Sequence, residues 1–276
     1  MLVTLNDVLK KAQKEKYAVG LFNTIDMEMA NGVLAAAEHM KSPVIIGTAE
    51  ILLPFGGLEE LSWLLRPMAE RASVPVVLHF DHGLKEETVY KAIDLGFSSV
   101  MYDCSDKSFE ENIKALREMT KYAHSKGVSV EAEIGHVGNA GTDGAADALT
   151  DPAEAKYFAE QTGVDALAVA IGTAHGAYKS KPCLDFERLK QIRAAVDVPL
   201  VLHGGSGLSE EDFKKTIEYG IAKVNIFTDI NCAAAKAAHD NYKEGMGMTD
   251  LVQSIRDAVQ TATEQKMRIF GSCNKA

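Results

Sequence analysis

The chain has 276 residues, 46% of them hydrophobic and 25% charged, and a formal net charge of −10. This composition supports a large core and excludes disorder, and the acidic balance excludes sequence-independent nucleic-acid binding, which needs clustered lysine and arginine. It leaves room for a locally positive site that takes a phosphorylated small molecule.

Met1 to Lys16 is amphipathic and carries Asp7 and Glu15, without the basic-then-apolar order of a secretory signal. Eight short, β-branched apolar runs follow, each leading into a helical stretch: Ala18 to Phe22, Val44 to Ile46, Val76 to Leu78, Ser99 to Tyr102, Val128 to Ala132, Ala166 to Ile171, Leu200 to Leu202, and Lys223 to Ile226. Such alternation predicts βαβ units and a parallel sheet. Glu28 to Met40 sets Met29, Val33, Ala36 and Ala37 on one helical face, and Glu111 to Ser125 does the same with Ile113, Leu116, Met119 and Ala123. Ser209 to Tyr219 opens with a serine cap followed by three acids. Gly96, Gly127, Gly163 and Gly220 stand where helix C-terminal caps belong. From about Thr249 the pattern is a helical tail.

No apolar run approaches the roughly 20 residues of a membrane span. Cys104, Cys183, Cys232 and Cys273 are widely separated with no C-x-x-C pair, which predicts a reduced, cytoplasmic chain. Eight strand–helix units could close into a barrel or form an open doubly wound sheet. The count of eight, a length close to the roughly 250 residues typical of the barrel, and the lack of G-x-G-x-x-G after the first strand predict one (β/α)8 TIM-barrel domain over residues 1–276.

In such barrels the chemistry sits at the C-terminal ends of the strands. There this sequence places Asn23, Asp81 and His82, Asp103, Glu133, His175, His203 and Asn225. Three histidines from three strands suit a Zn²⁺ site with an open fourth position. Asp81 is placed for proton transfer beside a metal-activated substrate, or it caps the Lys85–Leu95 helix. His79, inside its strand, reads as structural or as a support to the site, and His39, His124 and His239 as surface residues. Lys223 is assigned no covalent chemistry. The run Leu202-His203-Gly204-Gly205-Ser206-Gly207 offers backbone N–H groups to an anion, and Asn225-Ile226-Phe227-Thr228-Asp229 opens a helix at the other loop where barrels bind phosphate.

Phe80-Asp81-His82-Gly83, Glu131-Ala132-Glu133-Ile134-Gly135, Ile171-Gly172-Thr173-Ala174-His175-Gly176, the Gly204 loop and Lys223-Val224-Asn225 together resemble the class II, metal-dependent ketose-bisphosphate aldolases, from Phe22-Asn23 to Phe270-Gly271-Ser272. The resemblance implies a TIM barrel, a catalytic Zn²⁺ held by His82, His175 and His203, and a dihydroxyacetone-phosphate-like donor. It makes Asp81 the acid/base at the C4 hydroxyl of a phosphorylated ketose. Asp103 and Glu133 match carboxylates that hold a second or displaced metal. Gly176, Gly204, Gly205, Ser206, Asn225, Ile226, Phe227 and Thr228 match donor contacts, and a homodimer or homotetramer is implied.

Departures bear on substrate choice. Fructose-bisphosphate members often carry a serine after the second strand, where this chain has Gly47-Thr48-Ala49-Glu50. The loop Gly135-His136-Val137-Gly138-Asn139-Ala140-Gly141-Thr142-Asp143 lacks the usual glutamate, and resembles a subgroup acting on longer or less common ketose 1-phosphates. Arg256 matches an arginine that reaches a distal phosphate from a neighbouring subunit, and suits a carboxylate equally well. Alternatives are a fructose- or tagatose-1,6-bisphosphate aldolase proper, a metal-dependent hydrolase, which usually shows H-x-H where this chain has Phe22-Asn23-Thr24, and a non-catalytic sugar-phosphate binder.

Overall fold

The computed structural model describes residues 1–135, 149–176 and 182–276. A two-residue strand, β1 (Leu2–Val3), precedes β2 (Val19–Asn23), β3 (Val44–Ala49), β4 (Val76–Gly83), β5 (Ser99–Tyr102), β6 (Ser129–Ile134), β7 (Ala166–Val169), β8 (Leu200–Leu202) and β9 (Ile221–Ile226). Each barrel strand pairs in parallel with its neighbour in sequence, and β2 with β9 completes the ring. This is the (β/α)8 barrel, with its strands where the apolar runs predicted them. Only β1 was not foreseen. It pairs Leu2 with Val76 and Val3 with Val77, and two residues are too few to show a period.

Closure forces alternate residues of every strand to opposite sides. Phe22, Ile46, Leu78, Phe80, Val130, Leu167, Leu202 and Val224 point outward into the core shared with the helices. The inward set is apolar at the floor: Val19, Leu21, Ile45, Val77, Ala166, Ala168 and Val201 pack against Leu5, Val8, Leu9 and Ala12. Those four form one stripe of the Leu5–Glu15 helix, so the amphipathic N-terminus is the plug of the barrel. Toward the mouth the same inward parity turns polar, with His79 and Asp81 on β4, Glu131 and Glu133 on β6, and Lys223 on β9, all buried.

The surrounding helices follow the predicted faces, and all four glycines expected at helix ends have positive φ. Ser209 accepts from Asp212 N as a cap. The tail is a helix, Met248–Phe270, laid along the Met27–Met40 helix. Among the described residues no helix is long and apolar enough to cross a membrane.

The pairing of β3 with β4 sets the approach of Ala49 to Asp81, its register partner. It depends on Gly47, where a Cβ would lie 1.9 Å from the His79 carbonyl oxygen. Overpacking usually costs about 1–3 kcal/mol, and backbone cannot rotate aside, so Gly47→Ala should destabilise by about 3 kcal/mol. Urea denaturation measures this; an unchanged midpoint would show that the strands have room to separate.

Candidate active site

A break in the register of β4 against β5, between Phe80 and Gly83, builds the centre of the site. His82 there has φ 42, in the left-handed region. A non-glycine residue held so costs on the order of 1–3 kcal/mol, and such strain collects at functional sites. In a regular strand Asp81 and His82 would face opposite ways. The kink instead leaves Asp81 inside the barrel and turns the His82 ring over the mouth, with its centroid 4.9 Å from that of His175 and 4.5 Å from that of His203.

Asp81 does not cap the following helix, which overturns that reading. Glu50 instead holds the segment leading into that helix, its carboxylate accepting from Leu84 N at 2.5 Å, Lys85 N at 3.0 Å and Thr88 Oγ1 at 3.1 Å. Asp81 accepts instead from Asn23 Nδ2 at 2.8 Å and Asn225 Nδ2 at 3.0 Å.

Nε2 of His82 and of His175 are buried without a hydrogen-bond partner. Nδ1 of His203 makes no well-directed hydrogen bond, although Glu133 Oε2 stands 3.2 Å away. One ring nitrogen from each histidine lies within 4.8 Å of the others. Leaving such groups unmatched costs about 1–3 kcal/mol apiece, and a cation between them would satisfy all three. The far nitrogens are already held: Asp103 Oδ2 is 2.7 Å from His82 Nδ1, and Glu131 Oε1 is 2.8 Å from His203 Nε2. Carboxylates behind the rings are how metal-ligating histidines are oriented. Asp103 therefore backs His82, while His82, Asp103 and Glu133 form a second cluster of ligating atoms.

Burial, with the neighbouring His82 and His203 charges, pushes His175 down to about 4, so its lone pair is free at neutral pH. Burial alone would lower His203 too, but Glu131 and Glu133 outweigh it and hold it up at about 10. Burial works against an ionised Asp81, yet His82, His79 and Lys223 keep it well below the usual carboxylate range. Glu131, despite burial, is held at about 2 by Lys223 and His203.

The remaining predicted residues fall around this centre. Asn23 Oδ1 is buried and unpartnered. Gly204, Gly205 and Ser206 are buried directly after His203. A Cβ at Gly204, whose φ is 66, would meet Ala174 O at 2.4 Å, so glycine here also lets the loop approach the one carrying His175. Gly176 is exposed, and Phe227 and Thr228 are half-buried at the start of the Thr228–Asn241 helix, which has no side-chain cap. The Ile226 side chain packs into the outer core and away from the barrel interior. Arg256 is paired with Glu28 of its own chain. His136 to Asp143 lie outside the described residues. Glu131 and Lys223 were not predicted as site residues; their inward parity with Glu133 and Asn225 was the available signal.

The profile of the family described as "Fructose-bisphosphate aldolase class-II" matches residues 3–275. The chain is 44% identical to "Uncharacterized protein YdjI" of Escherichia coli K12 over 96% of each chain. It is 39% identical to the fructose-bisphosphate aldolase of Geobacillus stearothermophilus, over 100% of this chain and 99% of the relative. The crystal structure of the YdjI aldolase from E. coli K12 superposes with a TM-score of 0.92 at 41% identity, with full coverage of both chains.

With His203 held at about 10, it carries a proton near neutral pH that a cation must displace. Metal affinity should therefore rise with pH up to that value. Calorimetric titration with Zn²⁺ in two buffers of different ionisation enthalpy should register proton release, and His175→Ala should abolish the tight phase. Binding without proton release would contradict this electrostatic picture.

Proposed function

Because the chain belongs to the class-II fructose-bisphosphate aldolase family, we propose that it is a zinc-dependent aldolase reversibly cleaving a ketose 1-phosphate or ketose bisphosphate into dihydroxyacetone phosphate and an aldehyde. The family is one of metal-dependent lyases acting on phosphorylated sugars. The observation that carries the reading is the convergence of three unsatisfied ring nitrogens beside a carboxylate fixed by two amides.

His82, His175 and His203 would hold the ion; an all-imidazole set with an open position suits Zn²⁺. Bound there, it supplies Lewis acidity toward the ketose carbonyl. Asp81, kept ionised, takes the proton of the C4 hydroxyl as the C3–C4 bond breaks, and its low affinity for that proton favours returning it in condensation. Asn23 Oδ1 is an open acceptor for a substrate hydroxyl. The donor phosphate takes backbone N–H groups of Gly204 to Ser206 and the uncapped N-terminus at Thr228, with Gly176 and the backbone of Asn225 to Phe227 at the rim. Asp103 and Glu133 are the alternate metal partners. The reading also includes a homodimer or homotetramer, and a cytoplasmic location that the four free cysteines suit.

Ala49 lies in register with Asp81, so a methyl group, rather than the serine hydroxyl frequent in fructose-bisphosphate members, stands beside the acid/base. That favours a longer or less common ketose 1-phosphate. Arg256 would serve its distal phosphate or carboxylate after exchanging Glu28. Fructose or tagatose 1,6-bisphosphate is the second reading, favoured by relatives named fructose-bisphosphate aldolase at 39% and 40% identity.

Comparison of kcat/KM across phosphorylated ketoses decides between the two. We expect fructose 1,6-bisphosphate to be a poor substrate; a value on the order of 10⁷ M⁻¹s⁻¹ for it would establish the second reading. Asp81→Asn should lower kcat for cleavage about 10²–10⁴-fold with zinc content retained, and solvent exchange of the donor's own C–H proton should fall much less. Equal collapse of both reactions would make Asp81 a general organiser of the site.

A further inference from the structure

Directly beneath the histidines lies a buried ammonium that the proposed chemistry does not use. Lys223 is 0% exposed. Its Nζ donates to Glu131 Oε2 at 2.9 Å, to Glu131 Oε1 at 3.1 Å and to Asn225 Oδ1 at 2.6 Å. Each of these partners grips a different half of the site. Glu131 Oε1 meets His203 Nε2 at 2.8 Å, and Asn225 Nδ2 donates to Asp81 Oδ1 at 3.0 Å.

The polarity of this chain of contacts is determined. An ammonium only donates and a carboxylate only accepts. Asn225 therefore has one amide orientation that fits, oxygen to Lys223 and nitrogen to Asp81. Glu131 likewise requires a proton on His203 Nε2, which turns Nδ1 toward the other two rings. We propose that Lys223 is a positioning residue that sets the amide holding Asp81 and compensates the Glu131 carboxylate that orients the His203 ring. This rests on the roles proposed above for the histidines and Asp81.

Two observations favour positioning over other roles. A buried ion pair adds little net stability over well-packed apolar side chains, so packing alone does not require an ammonium here. The ligating atoms of His79, Asp81 and Glu131 also cluster, but Lys223 at 2.9 Å from Glu131 already supplies the positive charge at that level. A compact ammonium with three donors fits three acceptors on two partners, which a planar guanidinium would not.

Lys223→Met alone would strand the Glu131 charge and could prevent folding, so it is made in the Glu131→Gln background. The test compares parent, Glu131→Gln, and Glu131→Gln/Lys223→Met. Zinc dissociation constants come from competition with a chromophoric chelator, and kcat and KM are measured at saturating zinc on the ketose phosphate the parent cleaves best. Glu131→Gln should weaken zinc about 10–100-fold. Adding Lys223→Met should leave that affinity in place but lower kcat a further 10–100-fold or so through a loosened Asp81, with KM little changed. A purely structural lysine would instead lower the melting temperature without moving kcat, and that result overturns the proposal. So does parental zinc affinity in Glu131→Gln, or a double variant with no cooperative melt. Failure of the parent itself to bind zinc would remove the metal reading beneath it, whereas normal parental binding with unresponsive variants removes the Lys223 role alone.

Discussion

A carboxylate with no access to water has to be matched by charge or by hydrogen-bond donors, and Glu131, 0% exposed inside the barrel, imposes that requirement on everything around it. Its two oxygens take Lys223 and His203. The match holds the His203 ring by its Nε2 and leaves Nδ1 without a well-directed hydrogen bond. It also brings in Lys223, whose third donor reaches Asn225 and through it Asp81. Three strands that are not neighbours in the ring, β4, β6 and β9, are thereby tied together by side chains above the apolar floor.

The second constraint is local. A strand can offer one face to the barrel interior, but this site uses the consecutive residues Asp81 and His82. The left-handed backbone at His82 and the lost register against β5 resolve the conflict. Glu50, reaching across from just beyond the end of β3, ties down the loop beyond the kink. Ala49 and Asp81 stay side by side in the register of β3 with β4.

A barrel alone would be compatible with hydrolysis, binding or aldol chemistry. The separation comes from the site. Asn23 occupies the strand end where a metal-dependent hydrolase usually shows H-x-H, and its amide holds Asp81. A non-catalytic binder would have no reason to keep a buried, doubly hydrogen-bonded carboxylate beside three aligned imidazoles. The family relationship and the geometry therefore agree on carbon–carbon bond chemistry.

The eight barrel strands, the helical faces, the capping glycines and Ser209, the three histidines and Asp81 were all legible in the sequence, because each rests on a period, a cap or a strand end that local residues specify. Tertiary structure decided the rest. It tied Asp81 to Asn23 and Asn225 rather than to the helix N-terminus, paired Arg256 with Glu28, turned Ile226 into the core, and joined Glu131 to Lys223. Residues 72 and 92 positions apart meet at Glu131. No local pattern encodes such a meeting, since it exists only once closure of the ring brings β6, β8 and β9 around one buried interior where every charge must find a partner.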